Sequence, residues 1–127
     1  MLGRNSYEPE ELENARAAVR KQLADWRASG AGGDLETTYF NSLVLTLDRP
    51  FVHRIRKMTG KDTNPLSEVE LLTDSLMDSG SLEVGSVIKY QPEKSVLGLE
   101  AGQEIRLSAD DYEKLATAFL DEVERRS

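Results

Sequence analysis

Residues 39–58, YFNSLVLTLDRPFVHRIRKM, constrain the fold more than any other stretch of the chain. Phe40, Leu43, Val44, Leu47, Phe51, Ile55 and Met58 recur three or four apart, which is the spacing of one helical face. Tyr39, Leu45 and Val52 fall off that face. A helix here is therefore apolar over more than half its girth and is expected to be buried on several sides. Charge interrupts it too often for a membrane span. Pro50 divides it, because a helix-interior proline lacks the N–H, clashes with the preceding turn and costs roughly 3 kcal/mol. The pattern predicts a kinked or broken helix in two pieces, 36–48 and 50–59. Asp48 is a possible cap for the second piece, with Pro50 in its first turn, and Gly60 is the stop.

A chain of 127 residues is expected to form one domain, 1–127, with a core that needs no staples. Its parts are an N-terminal helix and glycine-rich linker, 1–33, and a core region, 34–127. The absence of cysteine excludes disulfides, thiolate catalysis and cysteine-ligated zinc. The first residues, MLGRNSYEPEEL, lack the apolar segment of a signal peptide, and no run reaches 18 apolar residues. The expectation is a cytoplasmic protein without membrane contact.

Helix signals flank the central stretch. Over 8–29, Leu12, Ala15, Val19, Leu23 and Trp26 make a buried stripe, and Pro9 with Glu8, Glu10, Glu11 and Glu13 suits the first turn. Arg16, Arg20, Lys21 and Arg27 fall on or beside its wet side and read as a solvated face. Gly30-Ala31-Gly32-Gly33 follows helix rather than strand, so it is a flexible connection and not a phosphate loop, and Asp34 is the expected N-cap of the next helix. Asn64-Pro65 starts a helix over 65–79 that buries Leu66, Val69, Leu72, Leu76 and Met77, with Glu68, Glu70, Asp74 and Asp78 on its outer face.

The period then changes. Leu82, Val84, Ile88 and Tyr90 alternate, a turn falls at 91–94, Val96, Leu97 and Leu99 follow, and a second turn at 100–103 precedes Ile105 and Leu107. This predicts two or three short strands leaning on the helical core. Ser108 with Asp111 three residues later is a capping-box variant, opening a last helix with Tyr112, Leu115, Ala116, Phe119, Leu120 and Val123 as its apolar stripe. The fold class is therefore mainly α (α+β): about four helices packed round a central buried helix, with a small antiparallel β element before the C-terminal helix.

Charge is unevenly placed. Arg49, Arg54, Arg56, Lys57 and Lys61 form a basic run containing no acid, so the rest of the chain carries −12 of a total of −7. An acidic total disfavours general nucleic-acid binding. Guanidinium groups in such a run suit phosphate or carboxylate. Arg49, His53, Arg54, Arg56 and Lys57 are thus the candidate ligand-binding residues, for a nucleotide, a sugar phosphate or a nucleic-acid backbone. The competing reading pairs these cations with acids of this chain or of a second copy. His53 is the single histidine, lies five residues after Asp48 and has no nucleophile elbow to serve, so no catalytic residue is assigned. Asp74 and Asp78, with Glu70 a turn earlier and Asp48 or Glu36 opposite, fall short of a carboxylate metal site, and no metal or cofactor is expected.

Residues 39–76 (YFNSLVLTLDRPFVHRIRKMTGKDTNPLSEVELLTDSL) with Met77, and residues 87–126, beginning VIKYQPEK and running to ERR, resemble a family of small actinobacterial proteins. The likeness leaves the first helix outside. In that family an aromatic residue often stands where this chain has Pro50. The resemblance implies a bacterial cytoplasmic protein and carries no activity and no site residues with it. The expectation from all of this is a non-catalytic protein-interaction module, binding a protein partner or self-associating as a two-fold homodimer. The alternative is the phosphate-bearing ligand at 49–61.

Overall fold

The computed structural model describes residues 9–51 and 59–126. Four helices account for most of it: α1 (Pro9–Ser29), α2 (Asp34–Leu47), α3 (Pro65–Asp78) and α4 (Ala109–Arg126), with one-turn 3-10 helices at Arg49–Phe51 and Pro92–Lys94. The chain is mainly helical, as its periodicity requires. The second central piece predicted at 50–59 falls largely outside the described residues. What precedes it is the expected break: α2 stops at Leu47, and Pro50 sits in a tight turn closed by the Phe51 N–H donating to the Asp48 carbonyl at 2.9 Å.

Among the described residues the hub is α4 rather than α2. Tyr112, Leu115, Ala116, Phe119, Leu120 and Val123 are all essentially inaccessible, and α4 packs against α1, α2 and α3. Helix α2 buries Phe40, Val44 and Leu47, while Leu35 remains 57% exposed and Tyr39, Leu43 and Leu45 are half-buried. Its surplus apolar girth meets a neighbour's edge rather than a second layer: Trp26 of α1 stacks on Tyr39 with centroids 5.2 Å apart. Phe40 and Tyr112 meet at 5.5 Å, and Phe51 and Phe119 at 6.2 Å, joining α2 and its terminal turn to the hub.

Caps follow the sequence closely at two of three starts. The Asn64 side-chain oxygen accepts from the Leu66 and Ser67 N–H groups, and its own N–H donates to the Ser67 hydroxyl oxygen, a complete capping box with Pro65 next in line. At α4, Ser108 and Asp111 accept from each other's N–H groups at 3.1 Å. At α2 the cap is Gly33, with φ of 63°, and not Asp34. Asp34 has moved into the first turn, where it receives Arg106 at 3.1 Å.

The expected small sheet is absent from the described residues. Between α3 and α4 there is a single antiparallel bridge, Ser81 with Glu104, supported by the Leu82 N–H donating to Gln103 and the Ile105 N–H to Gly80. The alternation had a different cause. Leu82, Ile105 and Leu107 plug the helical core, each about 2% exposed, while helix side chains satisfy much of the backbone between them. Asn41 donates to the Ile105 carbonyl and accepts from the Leu107 N–H, and Glu36 accepts from Ala109. Glu68 accepts from Val96 and Leu97 at 2.7 and 3.0 Å. The two predicted turns do form, at 91–94 and 100–103. The segment from 79 to 108 is a strap pinned by the helices rather than a sheet leaning on them.

Candidate functional site

Of the five candidate ligand-binding residues, only Arg49 lies within the described residues, exposed in the turn after α2. His53, Arg54, Arg56 and Lys57 lie outside them. Lys61, at the end of the same basic run, borders a hollow in the surface. That hollow has a volume of about 460 Å³ and three walls. Helix α3 supplies Glu70, Leu71 and Asp74; residues 59–61 supply a second wall; Glu83, Gly85, Val87 and Ile88 supply the third.

Each wall is fixed by a short network. Asn64, already the cap of α3, donates its side-chain N–H to the carbonyl of buried Thr59 at 2.8 Å. The Lys89 N–H donates to the Lys61 carbonyl at 2.7 Å, and the Thr63 hydroxyl donates to the Lys89 carbonyl and accepts from Gln91. The Glu83 N–H donates to the Ser75 hydroxyl oxygen at 2.9 Å, and the Ser79 hydroxyl donates to the Glu83 carboxylate. Past Ser79, Gly80 takes a φ of 83° and donates to the Ser75 carbonyl, turning the strap back along α3. Between the strap's tied positions at Glu83 and Lys89, Val87 is 66% exposed.

Two residues of α3 sit opposite to expectation. Met77, expected in the core, is 74% exposed. It falls three residues after Asp74 and seven after Glu70, so helical spacing puts it on the acidic stripe, and that was the signal available in the sequence. Glu68, expected on the outer face, is 3% exposed beneath the strap. Burial pushes its carboxyl above the ordinary range, against the opposing pull of the Val96 and Leu97 N–H bonds.

The outer face of α3 consequently carries exposed Met77 beside Asp74 and Asp78, and the lining of the hollow includes apolar Leu71, Val87 and Ile88. Asp74 and Asp78 are exposed one turn apart and make no ion pair among the described residues. Burial, and secondarily the charge of Asp74, raises the pKa of half-buried Asp48, which places Asp48 on this side of the molecule too. Among the described residues no three His, Asp or Glu side chains converge to hold a metal ion. None of the described helices is long and apolar enough to cross a membrane.

The second hollow, about 230 Å³, runs along the seam of α1 and α4 and is lined by Arg16, Val19, Arg20, Leu23, Glu113, Thr117 and Leu120. Its cations are occupied. Arg16 bridges Asp121 and Glu124 at 3.0 Å, Arg20 meets Glu13, and nearby Arg27 bridges Asp110 and Glu113. The basic side of the first helix is thus a set of surface pairs. Comparison with known proteins adds nothing to this geometry: no family model, no curated protein and no solved structure matches the chain.

Proposed function

We propose that this protein is a non-catalytic interaction module that seats a segment of another protein on the outer face of α3. The observation that supports this reading is the hollow itself: a lining that includes Leu71, Val87 and Ile88 beside Lys61, Asp74 and Glu83, with exposed Met77 on the same helix face as Asp74. Apolar groups interleaved with charge suit a protein-binding patch. Leaving two large apolar side chains in water on a small domain has a use when a partner covers them. The partner is a different chain rather than a second copy. A two-fold axis at this face would bring Asp74 and Glu83 toward the same acids of the other molecule, which is unfavourable.

Binding of a phosphate-bearing ligand through 49–61 weighs less. Arg49 is exposed and Lys61 borders the hollow, yet Asp74 and Glu83, which make no ion pair among the described residues, share its lining. Those carboxylates repel phosphate.

The test is selection of a phage-displayed random peptide library on the intact chain, repeated on Met77→Asp/Val87→Asp. Both sites are open to solvent, so the fold tolerates the change. Peptides enriched on the wild type and lost from the double variant support the reading. No enrichment, or equal retention by both proteins, overturns it.

A further inference from the structure

Resting on that reading, we infer that the α3 face selects a basic segment, one whose lysines or arginines flank a bulky apolar side chain. The argument is the contrast between what lies in the hollow and what surrounds it. The lining is apolar at Leu71, Val87 and Ile88, which calls for an apolar anchor. Around it Asp74, Asp78 and Glu83 are exposed carboxylates that make no ion pair among the described residues; Glu83 takes only the Ser79 hydroxyl. Elsewhere the same chain pairs its surface carboxylates readily, as Arg16 does with Asp121 and Glu124 and Arg27 with Asp110 and Glu113.

Lys61 is the one cation lining the hollow among the described residues, at the edge opposite α3. A chain with a net charge of −7 adds a long-range field of the same sign, which steers a cationic segment toward it and turns an anionic one away. Asp74 and Asp78 stand one helical turn apart, so a partner helix presenting cations at the same spacing could meet both while its apolar residue enters the hollow.

The experiment reads the composition of the selected peptides and their response to charge reversal. Peptides enriched on the wild type should carry lysine or arginine around an aromatic or aliphatic residue. A synthetic peptide of that sequence should bind Asp74→Lys/Glu83→Lys about tenfold more weakly or worse, and should weaken as salt rises from about 50 mM to 500 mM. Circular dichroism melting of the double variant checks that the fold is kept. The inference is overturned if the enriched peptides are neutral or acidic, or if charge reversal leaves affinity unchanged. Either result leaves the interaction module standing when Met77→Asp/Val87→Asp still abolishes binding. A library that yields no enriched peptide overturns both.

Discussion

Two faces of this molecule handle charge in opposite ways. Along the seam of α1 and α4, cations of the first helix reach across to carboxylates of the last, so the charges beside the groove are taken up by the chain's own pairs. On α3 the carboxylates Asp74 and Asp78 point into solvent beside exposed Met77 and a hollow twice the volume of the seam groove. The seam is where helices recognise each other. The α3 face carries apolar groups with charges beside them, and none of the other described helices pairs its cations with Asp74 or Asp78. On the proposed reading, a second chain supplies that contact.

The largest effects should separate the two faces by stability. Phe119 of α4 is fully buried against Phe51, so Phe119→Ala should cost about 3–5 kcal/mol in urea unfolding. Met77→Ala should stay within about 0.5 kcal/mol while weakening peptide binding. If Met77→Ala unfolds the protein, the face is a core surface and the comparison fails. Asn64→Ala should lie between, at about 1–2 kcal/mol. It removes the α3 cap and the tie to Thr59 together, and so should also loosen one wall of the hollow.

The pH dependence sharpens the contrast because two carboxylates act with opposite signs. The Glu68 pKa is raised from 4.5 by burial, so its stabilising contribution is full below that value and is lost as pH rises through the folded pKa. Glu68→Gln should flatten that decline in urea melts at successive pH values. Glu122 is held down to about 2 by Arg125 and Arg126, so its contribution is present above 4.5 and is lost as pH falls toward about 2. Glu122→Gln should remove the acid limb instead. The same sign for both variants would contradict the assigned environments. A small effect is also expected at the seam itself. Arg16→Ala should cost at most about 1 kcal/mol, because its carboxylate partners are largely exposed and water screens the pairs.

Much of the helical framework was legible from local pattern. Asn64-Pro65, the Ser108 and Asp111 box, and the stripe from Tyr112 to Val123 all carry their meaning within a few residues. What was not legible depends on distant chain segments. Helix α2 looked like the centre because it is apolar nearly all round, yet the hub is the helix that three others share, and helical periodicity does not reveal its neighbours. Glu68 looked exposed because nothing near it in sequence shows that the amides of Val96 and Leu97 will cover it. Leu82, Ile105 and Leu107 alternate as a strand would, but side chains from α2 and α3 took the place of strand partners. Of the candidate site, the acidic stripe of α3 was visible, whereas the hollow was not, since three separated segments make its walls.

The most direct test of the account is an amide chemical-shift map of the isotope-labelled protein titrated with a selected peptide. The account predicts perturbations concentrated at Leu71, Asp74, Met77, Val87 and Ile88, with Arg16, Thr117 and Asp121 on the opposite seam unmoved. Shifts centred on the α1 and α4 seam, or spread evenly over the chain, would contradict it.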